Sequence, residues 1–194
     1  MIRSAVIGVG HLGKFHAEKY HLATGSKLIA ICDLDLEKAK PLADQFNTTT
    51  VTDYRELIGK VNAVSIVTPT PSHYAIGLFF LSHGVHVLME KPICTSLTEA
   101  EHLIQTAQDN NAILQVGHLE RFNSTMTTLQ PHITRPRFIE SRRAAPFNLR
   151  AIDVNVIYDL MIHDIELIQS MVASPIIDIQ ATGEHVLTSF IDIA

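Results

Sequence analysis

Glu90-Lys91-Pro92 closes an apolar run, 85–89, with an acid, an amine and a residue that cannot continue a strand ladder. A turn needs only the proline, so the charged pair asks for another reason. An amine fixed by a rigid strand end can hydrogen-bond a substrate hydroxyl or carbonyl, and partial burial of an ammonium brings it towards the acid–base range. Glu90 can hold that ammonium in place. The alternative is a solvated Glu-Lys turn, and the three residues by themselves leave both open.

A second constellation is Gly8-Val9-Gly10-His11-Leu12-Gly13, directly after the opening apolar run. Three glycines at this spacing can mark an ordinary turn. Between a strand and a helix they permit a tight bend and close approach of a pyrophosphate, held at the helix N-terminus by amide donors and dipole. Asp33 follows 20 residues beyond Gly13 (33 − 13), at the end of the next apolar run. There it can accept the ribose hydroxyls of NAD and repel the 2′-phosphate of NADP, or merely cap the following helix. Thr68-Pro69-Thr70-Pro71-Ser72-His73 sits at another strand end and can line the same cleft, with Thr68, Pro69 and His73 as its candidate contacts. Its alternative is a proline-rich connector with a Ser72 helix cap. Asp159 and His163, spaced i and i+4, share one face of a helix and can enter a cleft together, or form an ordinary surface pair.

Those residues need a scaffold, and the pattern of the chain supplies one. Apolar runs at 4–7, 27–32, 49–52, 63–67, 85–89 and 113–116 alternate with amphipathic segments at 14–22, 36–46, 54–58, 72–83 and 97–110. Strand and helix in strict alternation predict an α/β fold, a Rossmann-type doubly wound parallel sheet. Ser96-Leu97-Thr98-Glu99 carries a capping-box pattern at the start of the last segment. After Gly117 the rhythm changes: Pro131, Pro136 and Pro146 interrupt it, arginines gather, and a long apolar helix is expected over 156–172. The organisation expected is a dinucleotide domain over 1–120 and part of an α+β substrate domain over 121–194.

Composition narrows the class. Hydrophobic residues are 46% and charged residues 18% of 194, a globular balance. A net charge of −5 offers no general attraction for nucleic acid or an anionic membrane. No run of about 18 apolar residues is present to span a bilayer. Two cysteines, Cys32 and Cys94, imply no disulfide framework and fit a reducing cytoplasm. Eleven histidines raise the question of a metal, yet they form neither an HxxxH pair nor a Cys/His cluster, and no metal site is expected.

Taken in order, GVGHLGKFHA, the Asp33 strand end, TPTPSH, GVHVLMEKP and ICTSLTEAEHL resemble the Gfo/Idh/MocA family of nicotinamide-dependent oxidoreductases, nearly end to end. The resemblance implies a catalytic role for Lys91 and NAD as cofactor, held by Gly8, Gly10, His11, Leu12, Gly13, Asp33, Thr68, Pro69, His73, Glu90 and Lys91. It implies that His163 accepts the proton of a substrate hydroxyl while Lys91 polarises the same oxygen, and that Asp159 orients the sugar or the pair. VGHLERFNS and the segment 145–168 are similar to nucleotide-sugar members that oxidise the 3-hydroxyl of UDP-N-acetylglucosamine; Ser124 departs from the proline usual there. Arg121, Arg142, Arg143 and Arg150 offer forked donors suited to a diphosphate, with Arg121 and Arg150 the substrate-binding candidates alongside Asp159 and His163; several can instead solvate a sheet edge. By length the chain departs from the family. Beyond residue 120 only 74 residues remain (194 − 120), against about 100–150 for a free-standing domain. TSFIDIA resembles the middle of the family's substrate-domain sheet, whose remainder would form the face of a homo-oligomer. The expectation is therefore an NAD-dependent sugar dehydrogenase, or a non-catalytic, dinucleotide-binding remnant of one.

Overall fold

The apolar runs become six strands, β1 (Ile2–Ile7), β2 (Ser26–Cys32), β3 (Thr49–Val51), β4 (Ala63–Ile66), β5 (His86–Met89) and β6 (Leu114–Val116). They form one sheet in the order β3-β2-β1-β4-β5-β6, and every neighbouring pair is parallel. These relations come from a computed structural model that describes residues 1–146, 155–172 and 174–194. The order reverses between β1 and β4. At such a switch point the loops leaving the two strands diverge and open a crevice beyond their carboxyl ends.

Helices cover both faces, which explains why the strands carry nearly continuous apolar runs. On one side α1 (Gly13–Leu22) and α2 (Leu36–Gln45) bring Ala17, Ala39 and Ala43 against Val6, Leu28 and Ile31. On the other, α3 (His73–Ser82) and α4 (Leu97–Asp109) bring Phe80, Leu81 and Leu103 against Ile7, Val64, Ile66, Val87 and Met89. Alternation along a strand sends Val64 and Ile66 to the α3 side, and therefore Ser65 to the α1 side. The same count on β5 sends Val87 and Met89 one way and Glu90, just past the strand, the other.

Two local expectations are refined. The segment 54–58 forms only a 3₁₀ turn, Tyr54–Leu57, because Asp53 caps it at one end and Gly59, with φ +77°, reverses the chain at the other. In the capping box, Ser96 Oγ accepts from the Glu99 N–H at 3.3 Å, but Glu99 reaches past Ser96 to the Thr95 N–H at 3.2 Å and the Thr95 hydroxyl at 2.8 Å.

The chain divides into two compact units, Met1–Gly117 and His118–Ala194. The sheet and its four helices make up the first. Described residues of the second include α5 (Ser124–Leu129), a π-helical turn Ile157–Met161 that leads into α6 (Ile162–Met171), and an isolated antiparallel bridge between Glu184 and Ile193. Near that bridge the Asp192 carboxylate accepts three backbone N–H groups, from Val186, Leu187 and Thr188. Those donors hold its carboxyl far below the usual range.

Candidate active site

The glycine loop is built for close approach. Gly8 has φ +88°, and a Cβ there would lie 2.7 Å from the Val67 carbonyl oxygen. A Cβ on Gly13 would overlap the Gly8 carbonyl, so α1 starts tight against the end of β1. Around Gly10, by contrast, no atom lies within 4 Å of where a Cβ would stand. That space is the mouth of a cavity of about 650 Å³, walled by Gly8, Gly10, Asp33, Tyr54, Thr68 and Pro69 among others. His11 and Leu12 are exposed at the start of α1, with the His11 ring edge-on to Phe15 at 5.8 Å.

Asp33 does not cap α2, a role taken by Asp35, whose Oδ1 accepts from the Glu37 N–H. It binds the glycine loop: Oδ2 accepts from the Val9 N–H at 2.7 Å, and Oδ1 accepts from the Asp35 N–H at 2.9 Å. Each oxygen retains acceptor capacity for a ribose hydroxyl. The field around it is negative. Burial, reinforced by Asp33, Asp53 and Glu56, pushes the Cys32 thiol on the cavity wall up to about 12. The same carboxylates oppose an added phosphate, while Lys38, also on the wall, has its ammonium 3.0 Å from Asp35.

The sequence places His73 among the candidate cofactor contacts, and the structure gives its ring two backbone partners. The side chain is buried, with Nε2 2.7 Å from the Thr68 carbonyl and Nδ1 2.9 Å from the Pro92 carbonyl. Carbonyls only accept, and a neutral imidazole donates from one nitrogen, so a single tautomer satisfies one of them and the doubly protonated ring satisfies both. Either way His73 links the loop after β4 to the loop after β5. Its effect on the cavity runs through Thr68, whose hydroxyl also accepts from Ser72 at 2.7 Å.

Glu90 and Lys91 follow β5, the neighbour of β4. Glu90 is buried, and its Oε1 lies 3.0 Å from His16 Nε2 while Oε2 accepts the Lys91 backbone N–H at 3.2 Å. Gly117 closes a third side, since a Cβ there would stand 3.1 Å from Oε1. Burial alone pushes the Glu90 carboxyl up. The His16 hydrogen bond and charge, the Lys91 N–H and the Lys91 charge together outweigh it and hold the group below its usual value. His16 in turn places Nδ1 3.1 Å from Ser65 Oγ, which lies 2.7 Å from the Tyr20 hydroxyl. Motif and spacing do not single out His16, Tyr20 or Ser65. Two weaker signals point to them: a serine inside an otherwise apolar strand, and a His-Tyr pair at i and i+4 just after the glycine loop.

Among the second-unit candidates, Asp159 lies in the π-helical turn and His163 in α6. The expectation of one regular helical face is thus modified, because a π turn is wider than an α turn and changes the angular offset between i and i+4. Arg121 commits a terminal nitrogen to Glu166, and Arg143 makes a two-pronged pair with Asp164, both contacts at 3.0 Å. Both arginines are therefore engaged by acids of α6 rather than left entirely to a diphosphate. Arg150 lies outside the described residues.

A parallel sheet of this order, a glycine loop opening at its switch point and an acid at the end of β2 define a dinucleotide-binding Rossmann unit. The chain belongs to the Gfo/Idh/MocA oxidoreductases: residues 2–118 match the family model described as an oxidoreductase family with an NAD-binding Rossmann fold. It is 39% identical over 194 residues to the UDP-N-acetylglucosamine 3-dehydrogenase of Acidithiobacillus ferrooxidans, covering 100% of this chain and 61% of that relative. A solved structure of that dehydrogenase superposes with a TM-score of 0.91 at 38% identity, over 98% of this chain and 63% of the other. The D-glucoside 3-dehydrogenase of Escherichia coli is 31% identical over 137 residues, 69% of this chain and 39% of its own length. The chain thus spans less than two thirds of these relatives. Among the described residues no helix is long and apolar enough to cross a membrane.

Proposed function

We propose that this chain carries the cofactor site and part of the substrate site of an NAD-dependent dehydrogenase that oxidises a secondary hydroxyl of a nucleotide sugar, the 3-hydroxyl of UDP-N-acetylglucosamine. The observation that carries the reading is Lys91, set at the carboxyl end of β5 beside a buried, anionic Glu90 and one strand from the switch point. Its support is the similarity to a UDP-N-acetylglucosamine 3-dehydrogenase along the whole of this chain.

The residues present suit the cofactor: the loop at Gly8 and Gly10 leaves backbone open to a pyrophosphate, and Asp33 offers acceptors to the adenosine ribose. Bound NAD supplies the hydride acceptor. The protein's own part is proton handling. As a secondary alcohol becomes a ketone its hydroxyl proton must leave; His163 takes it, Lys91 donates a hydrogen bond to the same oxygen, and Asp159 orients the sugar or the pair. In this reading residues beyond Gly117 belong to a substrate domain, and a complete relative assembles through its C-terminal sheet.

A second reading is a dinucleotide-binding protein without turnover, for which the glycine loop and Asp33 suffice. Incubation with NAD and UDP-N-acetylglucosamine, monitored by NADH absorbance, separates the two. NADH formation supports the dehydrogenase; NAD binding with no NADH formed supports the second reading. In an active enzyme, Lys91→Ala lowers turnover by about 10²–10⁴-fold while NAD affinity persists, and Lys91→Arg rescues poorly because a guanidinium does not exchange its proton. Near-normal turnover of Lys91→Ala returns Lys91 to a solvated turn.

A further inference from the structure

A series of hydrogen-bonded side chains, partly buried at His16 and Tyr20 and buried at Ser65 and Glu90, runs from α1 to the β5 turn. Glu90 is held as a carboxylate and only accepts, so His16 Nε2 carries the proton and donates to Oε1. His16 Nδ1 stands 3.1 Å from Ser65 Oγ, a contact made whether that nitrogen accepts in the neutral ring or donates in the charged one. Ser65 Oγ lies 2.7 Å from the Tyr20 hydroxyl, and either oxygen can donate. Burial raises the Tyr20 phenol above its ordinary value, against the lowering effect of the Ser65 hydrogen bond, so the hydroxyl stays neutral. Every hydroxyl and ring nitrogen in it has a hydrogen-bond partner. A fully satisfied buried network rigidifies the groups it joins.

The series ends at one place. The Glu90 carboxylate that receives it also accepts the backbone N–H of Lys91 at 3.2 Å. The fold brings the members together from far apart: His16 and Tyr20 from the helix that follows the glycine loop, Ser65 from β4, and Glu90 from the end of β5, 74 residues beyond His16. Apolar side chains at these positions would leave the Glu90 carboxylate without its His16 contact.

We infer that Tyr20, Ser65 and His16 are positioning residues that lock the Glu90 carboxylate and through it the backbone at Lys91, tying the phosphate-binding helix to the Glu-Lys-Pro turn. Their relevance to catalysis rests on the role proposed for Lys91, whereas the mechanical link does not. Along this path Tyr20 reaches Lys91 only by way of Ser65, His16 and Glu90. Its hydroxyl therefore acts on the Lys91 amide at the far end of four hydrogen bonds.

The test is amide hydrogen exchange, read at Lys91 by NMR in the full chain without cofactor, with Val6 in β1 as internal reference. His16→Leu removes the donor to Glu90 and raises exchange at Lys91 about tenfold relative to Val6. Tyr20→Phe removes one hydroxyl and raises it about two- to threefold. His16→Gln, which keeps a donor nitrogen for Glu90, recovers at least half of the loss. Unchanged exchange at Lys91 in both His16→Leu and Tyr20→Phe overturns the inference, as does a rise shared equally by Val6, which marks general destabilisation. Should His16→Leu fail to fold, Tyr20→Phe decides alone. The catalytic reading fails separately, through undiminished turnover of Lys91→Ala, and that result leaves the exchange measurement standing.

Discussion

Gly10 and Gly13 lie three residues apart in one motif, yet the structure gives them different work, and two substitutions separate it. At Gly10 the backbone does not occupy the left-handed region, and nothing lies within 4 Å of a Cβ. Gly10→Ala or Gly10→Val therefore meets no protein atom near the Cβ, and stability changes by less than about 0.5 kcal/mol, as for an exposed site away from special features. The added carbons stand at the cavity mouth, where a pyrophosphate approaches the backbone. Losing that approach forfeits one or two hydrogen bonds to a charged group, about 1.5–3 kcal/mol, or roughly 10- to 150-fold in NAD affinity. At Gly13 the Cβ falls inside the Gly8 carbonyl, a backbone group that no side-chain rotation can move. Relief requires α1 to shift from β1, at about 3 kcal/mol or more. For a unit of this size that lowers the melting temperature by about 10 °C. Calorimetry and NADH fluorescence titration, run on the same samples, read both quantities. A Gly10→Val protein that binds NADH normally, or a Gly13→Ala protein that melts normally, refutes the division of labour.

Other expectations follow from the same geometry. Asp33→Ala narrows the preference for NAD over NADP by about 1 kcal/mol, roughly fivefold, and equal affinities in the unmutated protein sink the assignment. Loss of the Val9 contact also loosens the glycine loop, so affinity for NAD itself falls in that variant. His73→Leu removes the ring nitrogens that face the Thr68 and Pro92 carbonyls and lowers stability by about 1–3 kcal/mol; an unchanged urea midpoint shows that neither contact matters. The pH dependence has a defined sign. Glu90 is held below its usual value in the folded chain, so its stabilisation is complete above the unfolded value of about 4.3 and fades as pH falls through the folded one. Glu90→Gln consequently loses less stability than the parent between pH 6 and pH 3, measured by urea unfolding, and parallel losses contradict this.

Several features are legible in the amino-acid sequence by itself because their causes are local. Apolar runs bounded by glycine, proline and acids mark the six strands, since burial on both faces demands such runs whatever the neighbours. The glycine loop is readable because only a residue without a Cβ fits at Gly8 or Gly13. Asp33 is readable because its spacing from the loop follows from one strand–helix–strand unit. Lys91 is readable because a strand end fixes its place, though its environment is not. What the tertiary structure decided are the contacts that depend on strand order. Once β4 and β5 lie beside β1, alternation puts Ser65 and Glu90 on the α1 face, where His16 and Tyr20 find them; no pattern within α1 names those partners. The burial of His73 has the same origin, since Thr68 and Pro92 meet only when their strands are neighbours. Short-range preferences are written in adjacent residues, whereas hydrogen bonds across 49 and 74 residues exist only after the sheet has chosen its order.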